Sequence, residues 1–546
     1  MSSIIVTSPV NRFYKNAPVG HVIILLLIIC LLWPLSALAT RQAEEPEAHN
    51  VSQGEALLDR WQAEAARQWA LQQLESEPHH PLWRFLLGQA LFYLGRYQEA
   101  LEMFDRTLKL MPHPRFQAYR EFVAQTFEST ASLQLIETEH FRIYIDVEQD
   151  AALVPYVEEV LERSYQHLGK VFGLFPSEKI RVEIFPTTRT FYSASSLAAR
   201  DIEVSGAIGI CKFNKIMLLS PRNLARGYRW TDSLSHEYIH YLLVQLSGHR
   251  APIWLHEGMA KYFEDAWRLP TSSWLSRRTE SLLAHALKHN SFVGFENMEP
   301  SLVKLETTYQ VQLGYAEAAS AIDFIVHRMG SKGLVGILHH LLQNQQDSAT
   351  TAITRVMNLQ FTEFLSQWQQ FLLTKKLREY DGVRLPRFKL KQGNAPPIDD
   401  FQQEIQSAAA RMHARLGDRL RQRQRLRASG AEYRRALDKD PYSLYLLNKF
   451  AAVLMAQQRW QLARQHLQHA KLLSPDYAAT YTNLGRLHLA LQENDQARLA
   501  LREAMQINPF DPAIHQQLAE SYRRLGQVEQ AQQEYALFKR LQESQP

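Results

Sequence analysis

A period of 34 residues in the last quarter of the chain is the strongest constraint on its fold. A repeat of this length is one supersecondary unit, and it cannot bury its apolar face unless neighbouring units stack on it. We therefore expect four stacked pairs of helices over about residues 410–545. The residues that recur at this spacing are Pro441, Pro475 and Pro509, Ala463, Ala497 and Ala531, and Ala436, Ala470 and Ala504.

The residues within each unit resemble a tetratricopeptide repeat. In YTNLGRLHLALQENDQARLALREAMQINP (481–509), small residues stand where two helices would cross, and proline follows the second helix. A further unit lies near the N-terminus, in PLWRFLLGQALFYLGRYQEALEMFDRTLKLMP (81–112). The resemblance implies all-α helical solenoids, over residues 50–130 and 406–546, that bind protein partners or substrates.

The N-terminus is typical of a targeting segment. Arg12 and Lys15 precede the apolar run HVIILLLIICLLWPLSALA, which ends in small residues suited to signal-peptidase cleavage. Residues 1–39 are therefore predicted to be a signal peptide, and the rest is predicted to be exported to a periplasmic or other extracytoplasmic compartment. The alternative is an uncleaved membrane anchor, because the run is at the lower edge of bilayer-spanning length.

Charge and cysteine content limit the function classes. Without the targeting segment, 59 basic residues face 56 acidic ones, so no global charge indicates a nucleic-acid partner. Cys30 lies in the targeting segment, which leaves Cys211 as the single thiol of the exported part and excludes an internal disulfide. A chain of this size can be stable without cross-links.

Between the two helical regions the residue pattern changes to that of strands. The segments HFRIYIDV (140–147) and KIRVEIFP (179–186) alternate apolar and polar residues, with a helix expected between them at about 152–172. The segment GAIGICKFNKIMLLSP (206–221) predicts a hairpin with its turn near Asn214. Residues from about 229 to 380 are expected to be mostly helical, and a linker is expected at 381–405.

The segment SLSHEYIHYLL (233–243) contains two histidines and a glutamate with the spacing of a metal site. On a helix, His236 and His240 lie about 40° apart and one turn above each other, so both imidazoles can reach one Zn²⁺. In HExxH sites the intervening carboxylate, here Glu237, takes a proton from the attacking water. The alternative is a buried helix with two neutral histidines, each of which would need its own hydrogen-bond partner.

A catalytic zinc site requires three protein ligands and one open position. Downstream, IWLHEGMAKYFEDAW (253–267) resembles the second signature of the gluzincin, or peptidase MA-like, metallopeptidases. By that resemblance Glu257 is the third ligand. His256 is the alternative, about 100° away on the same helix. The signature Trp-Leu-x-Glu-Gly-x-Ala is matched by Trp254, Leu255, Glu257, Gly258 and Ala260.

The resemblance covers residues 136–380. It implies an α+β gluzincin-like metallopeptidase domain, one Zn²⁺ per chain, and an edge strand that pairs with the substrate. The segment NKIMLLSP is the candidate edge, through backbone groups of about Met217 to Ser220, and an ordinary covered strand is the alternative. Tyr315 is the candidate hydrogen-bond donor to the oxyanion, with Tyr309 as the alternative.

The sequence thus predicts an exported zinc metallopeptidase with helical repeats at both ends. The alternative function, motivated by the extent of the repeats, is a catalytically inactive repeat scaffold of the cell envelope.

Overall fold

The computed structural model describes residues 45–543, except for residues 196, 198, 345, 386–387 and 392–404. The chain forms two compact units that divide between Ala131 and Ser132. The predicted targeting segment at 1–39 lies outside the described residues. Within the described ranges, no helix is both long and apolar enough to cross a membrane.

The N-terminal unit is built from helices with an aromatic core. Helices α3 and α4 form the hairpin predicted from residues 81–112. Gly88 lets the two helices cross closely, since a Cβ at this position would lie only 2.6 Å from the ring of Phe104. Phe85 contacts Phe104 and also packs 4.4 Å from Phe116, measured between ring centroids. The helices are α1 (Glu45–Asp59), α2 (Ala63–Ser76), α3 (Pro81–Tyr93), α4 (Tyr97–Leu110) and α5 (Pro114–Ser129).

The second unit begins with a five-stranded sheet. Its strands are β1 (Gln134–Glu137), β2 (Phe141–Ile145), β3 (Ile180–Phe185), β4 (Gly209–Lys212) and β5 (Lys215–Leu219). The order across the sheet is β1-β2-β3-β5-β4, with antiparallel pairs at both ends and parallel pairs in the middle. The predicted strands β2 and β3 and the predicted hairpin are confirmed, whereas β1 was not predicted. The hairpin turns at Phe213 and Asn214, both with positive φ, as two-residue turns favour.

The prediction that the NKIMLLSP segment supplies a sheet edge is wrong. Strand β5, which contains Met217, lies between β3 and β4 and is buried at every position. The edge is instead β4, the other strand of the hairpin, whose residues are all half-buried. A continuous apolar run such as the one in β5 is typical of a strand covered on both faces. Substrate pairing through Met217 to Ser220 is therefore excluded by the strand order.

Helices surround the sheet and form the rest of the central segment. Helix α9 ends at Gly248, whose φ of +60° is a left-handed conformation that glycine adopts without strain. Helix α10 then packs on α12 at Gly258, where a Cβ would lie 2.6 Å from the carbonyl oxygen of Ala318. The helices are α6 (Val154–Phe172), α7 (Thr188–Ser195), α8 (Ala199–Ser205), α9 (Trp230–Ser247), α10 (Ile253–Phe263), α11 (Arg277–His289), α12 (Thr308–Gln343), α13 (Ala349–Met357) and α14 (Phe361–Thr374).

The C-terminal part consists of successive helical hairpins, as the 34-residue period predicts. Small residues let the two helices of each hairpin approach, and at Gly485 a Cβ would lie 2.4 Å from Leu501. Ser429 and Ala451, which depart from the usual repeat residues, are fully buried and small enough for their positions. The four hairpins, called repeats 1 to 4, pair α15 (Ala408–Gln422) with α16 (Leu426–Lys439), α17 (Leu444–Ala456) with α18 (Trp460–Leu473), α19 (Ala478–Ala490) with α20 (Asn494–Met505), and α21 (Pro512–Arg524) with α22 (Val528–Glu543).

The described part of the predicted linker is attached to the central segment. Ala225 donates its backbone N–H to the Lys389 carbonyl at 2.9 Å, and Lys391 donates to the Asn223 carbonyl at 2.8 Å. These two bonds run in the antiparallel sense, because Leu224 and Leu390 form an antiparallel bridge. The central segment and repeats 1 to 4 accordingly belong to one compact unit.

Candidate metal centre

Three side chains from two successive helices converge on one point. His236 and His240 lie one turn apart on α9, with ring centroids 4.8 Å apart. Glu257 projects from α10, which folds back beside α9 after the turn at Gly248. Its Oε2 atom is 3.4 Å from His236 Nε2 and 3.6 Å from His240 Nε2. One possible ligand atom from each residue lies within 4.8 Å of the others.

The donor atoms fit a divalent metal ion such as zinc. Two imidazole nitrogens and one carboxylate form a His₂Glu set, which is used by catalytic zinc sites. Glu257 Oε2 is buried, and it forms no hydrogen bond to any described residue although both imidazoles are near. A buried carboxylate oxygen without a hydrogen-bond partner is costly, and coordination of a cation would satisfy it.

A second carboxylate, that of Glu264, contacts the ring nitrogen of His236 that points away from Glu257. Glu264 Oε2 lies 3.2 Å from His236 Nδ1, the ring nitrogen that does not face Glu257. Lys261 forms an ion pair with the other oxygen of Glu264 and so holds this carboxylate in place. A metal-binding histidine commonly donates its second N–H to such a carboxylate, which fixes the orientation of the ring. Sequence reasoning missed Glu264, although it follows Glu257 by seven residues, the spacing of one helix face.

The local charges hold the ligands in complementary protonation states. Burial would lower the pKa of His236, but the carboxylates of Glu257 and Glu264 outweigh it and raise the pKa to about 10. Burial would raise the pKa of Glu257, but the adjacent imidazoles of His240 and His236 hold it well below its ordinary value. Glu257 is therefore an anion, the form that binds a metal, whereas His236 without a metal is protonated and has to release a proton to bind one.

The side chain of Glu237 projects from α9 toward the edge strand β4. Its carboxylate accepts a hydrogen bond from the backbone N–H of Cys211, and burial raises its pKa. A Cβ at Gly209 would lie 2.7 Å from Glu237 Oε1, so only glycine lets the strand approach this closely. The candidate proton acceptor and the sheet edge are thus in direct contact.

The three remaining candidate residues, His256, Tyr315 and Tyr309, differ in their position relative to the three ligands. His256 lies outside the three-ligand cluster, with its ring 5.6 Å from that of His240, and burial lowers its pKa to about 3. Tyr315 lines the same cavity as the three ligands, and burial together with Glu257 raises the pKa of its hydroxyl. Tyr309 does not line that cavity; its ring lies 6.3 Å from the ring of His285.

Comparison with known proteins identifies the repeats. The tetratricopeptide-repeat family matches residues 81–114 and residues 442–509. The protein is therefore of the class that carries tetratricopeptide repeats, at both places where the 34-residue pattern predicts them. The two matched ranges cover the helical regions and not the segment that holds the three ligands.

A curated protein is similar to part of the chain. The chain is 27% identical over 137 residues to the type IV pilus assembly protein PilF of Pseudomonas aeruginosa, a match that covers 25% of this chain and 54% of PilF. The chain thus spans about half the length of that relative.

Two solved structures are also similar. MamA from Desulfovibrio magneticus RS-1 is 18% identical, over 26% of this chain and 79% of MamA, with a TM-score of 0.23. The APC/C hetero-tetramer Cut9–Hcn1 is 14% identical, over 93% of this chain and 98% of that chain, with a TM-score of 0.22. Neither TM-score is high enough to carry a conclusion about fold or function.

Proposed function

We propose that this repeat protein is an exported zinc-dependent metallopeptidase with a gluzincin-like central segment, and that its helical repeats bind protein substrates or partners. One observation carries the proposal. A buried oxygen of Glu257, with no hydrogen bond to any described residue, faces the Nε2 atoms of His236 and His240 at 3.4 and 3.6 Å. The HExxH and Glu-Gly motifs that place these residues resemble those of gluzincins.

In this proposal, separate residues bind the metal, transfer the proton and stabilise the oxyanion. His236, His240 and Glu257 would hold the zinc ion, and the ion would supply Lewis-acid activation of water and of the substrate carbonyl. Glu237 accepts the proton of the attacking water and passes it to the leaving amine. Tyr315 donates a hydrogen bond to the oxyanion that forms on the carbonyl.

The edge strand β4 is the surface on which we propose that the substrate lies. It contacts α9 and pairs with β5 through one of its two edges. An extended peptide can add to a strand edge through backbone hydrogen bonds, which position it without requiring a particular sequence. The contact between Gly209 and Glu237 then brings the bound backbone close to the proton acceptor.

The test separates metal binding from proton transfer. Glu237→Gln should retain one zinc per chain and lose cleavage of a peptide library, because an amide cannot take up the proton. Glu493→Gln, which alters a carboxylate that pairs with His488 in repeat 3, is the matched control and should retain both. A zinc-loaded Glu237→Gln variant that cleaves as fast as wild type would refute the assigned role.

A second candidate function is a repeat scaffold of the cell envelope that binds partners but does not cut them. The comparisons favour it, because both family matches lie in the repeats and the curated relative is a pilus assembly protein. Elemental analysis of the purified protein discriminates the two functions. A zinc content well below one per chain, after incubation with excess zinc, would favour the scaffold.

A further inference from the structure

The helix that carries both histidines begins against repeat 3. Tyr228 donates its backbone N–H to the Ile507 carbonyl at 3.0 Å, and Trp230 donates to the Gln506 carbonyl at 3.1 Å. The indole Nε1–H of Trp230 donates to the Met505 carbonyl at 3.2 Å. The first N–H groups and the last carbonyl groups of a helix lack partners within their own helix. Here the first residue of α9 donates to the residue that follows α20, and the last carbonyl of α20 accepts from the Trp230 side chain.

Ion pairs reinforce this junction. Glu503 of repeat 3 lies 2.9 Å from Arg229 and 3.2 Å from Arg268. Arg268 also pairs with Asp232 in the first turn of α9, at 2.7 Å. Arg229 donates a further hydrogen bond to the Pro475 carbonyl, at 2.7 Å. The start of the histidine-bearing helix is therefore fixed to repeat 3, and to the segment between repeats 2 and 3, by both backbone and charged groups.

Further contacts hold the repeats to the central segment away from this junction. Asp476 pairs with Arg278 of α11 at 2.9 Å, and Asp440 of repeat 1 pairs at 3.1 Å with Arg384 of the linker that is attached to the central segment. In repeats 3 and 4, Arg502 pairs with Glu159 at 2.7 Å and Glu534 accepts a hydrogen bond from Tyr156. Loss of one partner from such half-buried pairs leaves a charge that water only partly reaches. Separation of the repeats from the central segment would break all of these contacts together.

The cavity that contains the three ligands is lined by both parts of the unit. It has a volume of about 1580 Å³. Its lining includes His236, His240 and Glu257, and also Asp476 and Tyr477, which lie between repeats 2 and 3. A folded domain of 50 residues has a radius of gyration of about 10 Å, and a sphere of that radius occupies on the order of 4,000 Å³. A folded domain is too large for this space, whereas an extended peptide fits it.

We propose that repeats 2 and 3, with the segment between them, are a fixed wall of the active-site cleft, and that the site takes extended peptide segments while excluding segments held close to folded domains. This inference rests on the proposed peptidase function and specifies its substrate class. Two residues then have two roles, because Pro475 and Glu503 line the cavity and also bind Arg229 at the start of α9.

A substrate series with one cleavable segment tests the exclusion. The segment is offered as a free peptide, and between two folded domains through linkers of about 6 or about 30 residues, which extend to roughly 20 and 100 Å. We expect the long-linker substrate to be cleaved about as well as the free peptide, and the short-linker substrate at least tenfold less well in kcat/KM. Trypsin acting at a lysine placed in each linker shows that the linkers themselves are accessible.

Variants then test whether the repeats cause the exclusion. Asp476→Asn with Glu503→Gln should raise the ratio of short-linker to free-peptide cleavage, because it loosens the wall. The ratio cancels any general loss of activity. Glu493→Gln, which changes an ion pair with Arg464 inside the repeats, should leave the ratio unchanged. Equal cleavage of the short-linker and free substrates by wild type would overturn the inference, and so would an unchanged ratio in the double variant.

The two proposals can fail separately. If the zinc-loaded protein cleaves no member of the series, the peptidase function fails, and binding decides the inference. Fluorescence anisotropy of the labelled substrates with the full chain should then still show at least tenfold weaker binding of the short-linker substrate. Equal binding of all members, or binding of none, would overturn the inference.

Discussion

Removal of the carboxylate behind His236 should weaken zinc binding by a predictable amount. Glu264 lies 3.2 Å from His236 Nδ1, whereas Glu257 faces Nε2 of the same ring. Loss of such an outer carboxylate typically weakens metal binding 10- to 100-fold. In Glu264→Gln the amide oxygen can still accept a hydrogen bond from the ring, so only the charge is lost. We therefore expect about a tenfold loss for glutamine and about a hundredfold loss for alanine, or about 1.4 and 2.7 kcal/mol.

Competition with a chromophoric zinc chelator measures this affinity directly, without reference to peptide cleavage. Glu493→Gln is the control, because Glu493 also pairs with a histidine Nδ1, that of His488, but in repeat 3. It should leave zinc affinity within about twofold of wild type. If Glu264→Gln and Glu264→Ala were both as tight as wild type, His236 would not be oriented by this carboxylate. Glu264 would then have no part in metal binding.

Two further predictions use matched pairs of residues. Tyr315→Phe should lower kcat about 10²- to 10³-fold with zinc content unchanged, because it removes one hydrogen-bond donor to the oxyanion. Tyr309→Phe is the control and should retain the wild-type kcat. Equal losses of kcat in the two variants would exclude a specific role of Tyr315 in the reaction. Gly227→Ala should lower the urea midpoint of unfolding more than Gly173→Ala. Both positions have a left-handed φ, +67° at Gly227 and +68° at Gly173, and this conformation costs alanine about 1 kcal/mol. A Cβ at 227 would in addition lie 2.0 Å from the Ile507 carbonyl oxygen, whereas a Cβ at 173 would have no atom within 4 Å. Equal midpoints would show that repeat 3 does not constrain the start of α9.

Local sequence patterns predicted the elements that local physics determines. The 34-residue period indicated the repeats because a small residue such as Gly485 meets a bulky residue of the partner helix, Leu501, only 16 positions away. The alternation in β2 indicated a strand because successive side chains point to opposite faces of a sheet, and its apolar residues lie on the buried face. The spacing of His236 and His240 follows from helix geometry alone, so their proximity could be expected from the sequence. Glu257 was expected to be the third ligand only from the resemblance to the gluzincin signature, because helix geometry within α9 does not bring α10 beside it.

Features that depend on distant contacts could not be predicted in this way. The position of β5 inside the sheet results from its pairing with β3, some 30 residues earlier. A hairpin pattern predicts that two strands pair, but it does not say which of them faces outward. The junction of Trp230 with Met505 joins residues 275 positions apart, and no periodicity in either segment indicates it. Only Glu264 had a local signal that sequence reasoning overlooked.

The contacts of the repeats bear on the choice between the two candidate functions. A scaffold requires repeat surface that a partner can reach, and the family comparisons support that role in general terms. Here, however, Glu503 and Asp476 are paired with arginines of the central segment, and the end of α20 supplies hydrogen-bond acceptors to the histidine-bearing helix. A scaffold without chemistry gains little from fixing that helix, whereas a metal site depends on ligand positions held to within about 0.5 Å. The use of repeat surface for this purpose is the structural reason to test catalysis before partner binding.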